Sequence, residues 1–143
     1  MHSQTWPAKI TSLDSIQEFI ASVAQEAGVD SKRSVSITLI VEEIAVNIIN
    51  YAYKDDEPGD ITVSVDFTPL GEEISISFAD TGTPFNPLEK EPPDINQDIM
   101  ERRIGGLGIF MVREIADDVT YTRCCSKNIL TVKVNKHKSK KNK

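Results

Sequence analysis

Three short stretches of this chain carry residues suited to binding and transferring phosphate. The first is Glu43-Ile44-Ala45-Val46-Asn47. Glu43 and Asn47 are four residues apart, so on a helix they are neighbours on one face. An Asn carbonyl is a hard oxygen ligand suited to Mg²⁺, and a carboxylate one turn away can take a proton from an attacking hydroxyl. The same pair is also what the solvent side of an ordinary helix looks like. The second stretch is Ala79-Asp80-Thr81-Gly82-Thr83-Pro84-Phe85. A carboxylate leaving a strand can accept a hydrogen bond from an exocyclic amine such as that of adenine, and Gly82 lets backbone approach a ligand closely. A plain Asx turn is the structural alternative. The third is Ile104-Gly105-Gly106-Leu107-Gly108-Ile109-Phe110. Glycines with open amides at a helix N-terminus form an anion site, while a flexible hinge is the bland reading. No GK[ST] follows, so this is not a Walker A loop. It follows a long loop and not a strand, so it is not a dinucleotide fingerprint either.

The elements that must position these stretches are readable from periodicity. Thr5–Ile10 is a short strand, with Pro7 pointing to an edge. Thr11-Ser12 offers an N-cap for a helix bearing Ile16, Phe19, Ile20 and Val23, and Gly28 ends it. Asp30-Ser31 caps a second helix running to about Tyr53. At about 100° per residue its apolar residues cover most of the circumference, which predicts burial. They leave a narrow polar stripe of Ser36, Glu43, Asn47 and Asn50. Residues 55–60 form a turn. Ile61–Phe67 and Ile74–Phe78 alternate apolar with polar and read as an antiparallel hairpin. From Thr81 to Gly106 the chain is rich in proline and charge, a loop of a length that is usually functional or mobile. A helix from Leu107 to Ala116 and strands at Val119–Cys124 and Asn128–Asn135 complete the chain. The order β-α-α-β-β-loop-α-β-β predicts an α+β, two-layer sandwich, with a mixed, mostly antiparallel sheet carrying its helices on one face.

The chain has 143 residues and a net charge of −6. Five lysines in the last eight residues (Lys136, Lys138, Lys140, Lys141, Lys143) leave residues 1–135 at −11. An acidic body argues against direct DNA binding. The organisation expected is one domain over residues 1–135 and a basic, disordered tail over residues 136–143. Cys124 and Cys125 are adjacent in a strand, where neighbours face opposite ways, so no mutual disulfide is expected. His2 and His137 sit near opposite ends, which argues against zinc. No apolar run of membrane-spanning length and no signal pattern stand out, so the expected setting is cytoplasmic, with no membrane partner.

Taken together and in this order, the three stretches resemble the N, G1 and G2 boxes of the Bergerat-fold ATPases, shared by histidine kinases, gyrase-type ATPases and chaperones. Their wording is similar to that of the bacterial anti-sigma-factor serine-protein kinases, over nearly the whole domain. The resemblance implies ATP and Mg²⁺ as cofactors, with Asn47 as the Mg²⁺ ligand and Glu43 as the general base. It implies Asp80 and Gly82 at adenine, and Gly105, Gly106, Leu107 and Gly108 as phosphate-facing backbone. It implies Thr131 on the last strand near adenine, a lid over 86–104, and Arg103 reaching the γ-phosphate. It further implies a small anti-anti-sigma (STAS-type) protein as substrate, a sigma factor as binding partner, and a homodimer. Tyr51 stands where relatives often carry His. A nucleotide-gated binding module without phosphotransfer is the alternative on the same motifs. A detached histidine-kinase catalytic domain is a third reading, weakened by the lack of a dimerisation helix with a phosphorylatable His.

Overall fold

The computed structural model describes residues 1–54, 57–84, 86, 88 and 107–137. Its elements are β1 (His2–Pro7), a 3₁₀ turn (Ile10–Ser12), α1 (Leu13–Ala27), α2 (Ser31–Tyr51), β2 (Asp60–Phe67), β3 (Glu73–Asp80), α3 (Leu107–Ile115), β4 (Asp118–Cys124) and β5 (Lys127–Asn135). The order matches the one expected, and the boundaries shift by a few residues. The five strands form one sheet in the order β1-β2-β3-β5-β4. All four ladders are antiparallel, where the sequence left room for mixed pairing.

The first strand begins and ends earlier than its apolar residues suggest. Trp6 points inward and is buried, whereas Ile10 stays 61% exposed in the 3₁₀ turn. β1 is an edge strand, the place Pro7 required. Ser12 precedes α1 but does not cap it, because its hydroxyl donates to the Pro7 carbonyl. Gly28 closes α1 at φ 86°, in the left-handed region. Asp30 caps α2 as expected, its side chain accepting from the Arg33 amide at 2.9 Å.

The sheet buries one face. Ile61, Val63 and Val65 of β2, Ile74, Ile76 and Phe78 of β3, and Leu130, Val132 and Val134 of β5 all point to the helical side. Ser64, Ser77 and Thr131 lie on the other face, a period-2 division that leaves one side of the sheet polar. Ile16, Ile20 and Val23 of α1 complete the core with Ile37, Ile40, Val41, Ile44 and Ile48 of α2 and Val112 of α3. The expected burial of α2 is one-sided, because Val35 and Leu39 are 63% and 40% exposed. By length and composition α2 does match a membrane span, contrary to the sequence expectation, yet its inner face is packed in this core.

The C-terminal boundary also needs correction. Lys136 is 2% exposed, and its ammonium donates to the Thr68 carbonyl at 3.0 Å and lies over the Phe67 ring. Its carbonyl accepts from the Asp30 amide. Lys136 therefore belongs to the folded body and not to a tail, and residues 138–143 lie outside the described residues. Close by, Arg33 donates to the Asn135 carbonyl and pairs with Asp117 at 3.4 Å, both side chains being nearly inaccessible. Asp117 also accepts from the Asn135 amide. This cluster ties the start of α2 to the end of the sheet.

Removing one partner of a buried pair leaves the other charge uncompensated. Asp117→Ala should therefore cost about 3–5 kcal/mol in urea unfolding. The exposed neighbour variant Asp118→Ala should stay within about 0.5 kcal/mol of wild type.

Candidate functional site

The site forms where α2 crosses the ends of β3 and β5. Ile44 and Ile48 on α2, Ala52 just after it, Phe78 on β3, Ile109 on α3 and Leu130 on β5 give an open-mouthed cleft its apolar walls. Asn47, Asp80, Asn128 and Tyr121 supply its polar groups. An apolar slot with a few convergent polar atoms is the usual form of a small-molecule site.

Asp80 is 6% exposed, at the last position of β3 opposite Asn128. Its Oδ1 accepts from the Gly82 amide and from the Asn128 amide nitrogen, each at 2.9 Å. Asn128 also donates to the Thr83 carbonyl at 2.8 Å and accepts from the Tyr121 hydroxyl. Among the described residues nothing donates to Asp80 Oδ2. A buried carboxylate oxygen without a donor is costly, so a ligand N–H there gains a full partner. The Asx turn and the binding reading thus hold together, one on each oxygen. Tyr53 anchors this strand end from below. Its hydroxyl donates to the Asp60 carbonyl and accepts from the Thr81 amide at 2.9 Å.

Glu43 and Asn47 share a half-buried side of α2, Asn47 lining the cleft and Glu43 meeting the first turn of α3. Neither side chain has a hydrogen-bond or ionic partner among the described residues. The polar stripe is accordingly not a plain solvent face, although Asn50 is exposed and lies on a separate surface basin. Partial burial, and then the charge of Glu42, push the Glu43 carboxyl above the ordinary glutamate range.

The glycines act through close packing. A Cβ on Gly108 would meet the Glu43 carboxylate, so this residue brings the first turn of α3 directly against the acid. A Cβ on Gly82 would meet the Ala52 carbonyl at the end of α2, to which the Thr83 amide also donates at 3.0 Å. Gly82 is therefore required by the contact between its loop and α2, and not only by approach of a ligand. Leu107 opens α3. Gly105, Gly106, Arg103 and most of the expected lid lie outside the described residues. At the lid's start, Arg113 of α3 donates to the Leu88 carbonyl at 3.3 Å.

Among the described candidates, Thr131 faces away from the cleft. It lies on the outer face of β5, its hydroxyl hydrogen-bonded to that of Ser77 at 2.9 Å. Leu130, Val132 and Val134 face the helices, so the residue between them must face away. Asn128 and Leu130 occupy the inward positions instead. The sequence reading missed Asn128, Tyr121 and Tyr53. The alternation of β5 was the signal for Asn128, while the two tyrosines act through pairings that no local pattern encodes.

A helical layer over one face of an antiparallel sheet, with a cleft joining the second helix to the ends of two central strands, is the architecture of this chain. The family model described as the histidine kinase-like ATPase domain matches residues 6–134, and the chain belongs to that family. Two curated relatives are each named serine-protein kinase RsbW. The one from Listeria monocytogenes is 30% identical over 104 residues, covering 70% of this chain and 65% of its own length. The one from Oceanobacillus iheyensis is 30% identical over 118 residues, covering 79% and 73%. The chain thus spans somewhat under two thirds of the Listeria relative. Among solved structures, the histidine kinase domain of the Erythrobacter litoralis EL346 blue-light activated histidine kinase superposes with a TM-score of 0.51 at 17% identity. That match covers 87% of this chain and 61% of the other, and it shows the shared fold.

The two glycine contacts differ in what can yield. Gly82→Ala meets rigid backbone and should cost about 2–4 kcal/mol in denaturant unfolding. Gly108→Ala meets only the end of a flexible side chain and gains helix propensity, so its stability should change by less than about 1 kcal/mol. A stable Gly82→Ala protein would show that the loop does not press on α2.

Proposed function

We propose that this chain is an ATP-dependent serine-protein kinase of the anti-sigma-factor type, acting on a small anti-anti-sigma partner and holding a sigma factor. The observation that carries the reading is that Asn47 and Asp80 line one cleft while Glu43, one turn from Asn47, meets Gly108 at the start of α3; among the described residues the Glu43 carboxylate, the Asn47 amide and Asp80 Oδ2 have no protein partner. Their chemistry fits the parts of a bound magnesium nucleotide. Asp80 would accept the adenine amine between the apolar walls, with Gly82 behind it. Asn47 would hold Mg²⁺ by its carbonyl oxygen. Among the described residues there is no cluster of three His, Cys, Asp or Glu, so water and phosphate oxygens would complete the shell. When bound, Mg²⁺ neutralises phosphate charge as it develops in transfer.

The remaining roles belong to the chain's own groups. The amides of Gly105, Gly106, Leu107 and Gly108 would cradle phosphate, and Arg103 would reach the γ-phosphate. Glu43 would take the proton of the partner's serine hydroxyl as the new O–P bond forms and the bond to ADP breaks. A raised pKa suits a base that must gain a proton during the step. Support comes from the RsbW names of the relatives and from the position of Glu43 beside Gly108. A homodimer in the cytoplasm, with residues 86–104 as lid, completes the proposal.

Incubation with ATP, Mg²⁺ and the cognate partner should label the partner on serine. Glu43→Gln should lower labelling by about 100-fold or more, with ATP affinity nearly unchanged in calorimetry. Asp80→Asn should instead abolish nucleotide binding. ATP binding without label on any partner would favour a nucleotide-gated binding module.

The pH dependence has a definite sign. The transfer rate should rise with pH through an inflection above the ordinary glutamate value, as Glu43 loses its proton. The folded state holds that proton more tightly than the unfolded chain does. The Glu43 contribution to stability is therefore full below the ordinary value and is lost as pH rises through the raised one. Glu43→Gln should flatten both profiles, and a profile unchanged in the variant would remove Glu43 as the base.

A further inference from the structure

The turn between β4 and β5 carries chemistry that the nucleotide site does not use. Cys124 pairs with Lys127, which leaves Cys125 and Ser126 as a two-residue hairpin loop. Both have positive φ, 57° and 64°. A loop of this geometry normally carries Asn-Gly, and a residue with a Cβ costs roughly 1–2 kcal/mol at each such position. The left-handed turn takes Cys125 out of the strand alternation that would have separated it from Cys124. The two sulfurs instead lie 3.1 Å apart, unbridged and exposed. A disulfide needs about 2.05 Å between sulfurs, and Cα atoms about 3.8 Å apart across a trans peptide lie below its usual span, so closure makes a strained eight-membered ring that must shift the turn.

The hairpin is also bonded to the loop that leaves β3. On β4, Arg123 donates to the Gly82 carbonyl at 2.9 Å. On β5, Asn128 donates to Asp80 and to the Thr83 carbonyl. The residues flanking the thiols thus grip the 80–83 loop from both strands.

We propose that Cys124 and Cys125 form a vicinal dithiol that is a redox modification site, closing to a disulfide whose ring alters the hairpin's hold on the 80–83 loop. The oxidant class is a hydroperoxide. With hydrogen peroxide, the Cys125 thiolate attacks one peroxide oxygen and the O–O bond breaks. Cys125 becomes a sulfenic acid, and the departing hydroxide takes up a proton to leave as water. The Cys124 sulfur then attacks the Cys125 sulfur. The sulfenic hydroxyl leaves with the Cys124 proton as a second water. Two thiols and one peroxide give one disulfide and two waters, the sulfurs losing the two electrons that the peroxide gains. The hydrogen bond to Cys125 holds the Cys124 thiol above its ordinary range, so Cys124 keeps its proton through the first step.

The full chain is treated with hydrogen peroxide and read by intact and peptide mass spectrometry without nucleotide. The expected product is a monomer lacking two hydrogens, bridged within the peptide that holds both cysteines and restored by dithiothreitol. Cys124→Ser and Cys125→Ser should not give it. Phenylarsine oxide, which needs two adjacent thiols, should bind the reduced protein once per chain and block the oxidation. Sulfinic acids or disulfide-linked dimers as the main products would overturn the site. Hydrogen exchange at the Gly82 and Thr83 amides should quicken several-fold on oxidation of the wild type, and not in peroxide-treated Cys125→Ser. A closed ring with unchanged exchange would overturn its transmission to the loop. Neither readout involves ATP, so failure here is distinct from failure of the kinase reading.

Discussion

Burying the Ile37, Ile40, Val41, Ile44 and Ile48 side of α2 against the sheet removes five large aliphatic side chains from water, each worth about 1.5–3 kcal/mol. That driving force fixes the rotation of the helix about its own axis. With the rotation fixed, Glu43 and Asn47 have only one direction to face, the seam where α3 and the ends of β3 and β5 meet. The site is therefore a by-product of core packing: the apolar side of α2 chooses its position, and the polar side inherits a cleft. The ends of α2 are held by different means. Asp30, Arg33, Asp117, Asn135 and Lys136 join its start to the sheet, while Ala52, Gly82 and Thr83 join its end to the β3 exit.

Much of this could be read from residue types alone, because the strongest signals were periodic. Ile61–Val65 and Ile74–Phe78 alternate cleanly, and their ladder is the one expected. Asp30 and Gly28 mark helix ends through local chemistry, which is why those boundaries were legible. Asn47 and Asp80 stood out by type and spacing and line the cleft, while Glu43 meets Gly108 at the start of α3. What the sequence hid were relations across the chain. Thr131 was matched by likeness of position, and a shift of one residue in a strand reverses the face. Ser12 looks like a cap, but the Pro7 carbonyl lies within reach and takes its hydroxyl. Lys136 reads as part of a basic tail until Thr68, Phe67 and Asp30 surround it. The exposed Val35 and Leu39 show the opposite limit, since periodicity predicts an apolar surface without saying which part the fold covers.

The hairpin of β4 and β5 illustrates how a strand expectation fails at its last residue. Adjacent cysteines inside a strand point apart, and that rule applies as long as the strand continues. Cys124 is the final residue of β4, and the left-handed step at Cys125 replaces alternation with juxtaposition. Three residues after Cys125 the same hairpin delivers Asn128 to Asp80. A turn that is energetically unfavourable for its side chains therefore sits directly beside the most constrained carboxylate of the cleft.

That carboxylate has a consequence for base choice. Asp80 spends one oxygen on Gly82 and Asn128 and, among the described residues, keeps the other as a bare acceptor in an apolar slot. A bare acceptor welcomes an amino group and repels a carbonyl. With the base seated against it in the proposed manner, guanine's oxygen would set lone pair against lone pair, a mismatch that water cannot relieve once the slot is filled. Asn128 holds the carboxylate in place, and both oxygens of a carboxylate offer acceptors only. Discrimination between purines would then reside in a fixed pattern of hydrogen-bond polarity, and the width of the slot would contribute little.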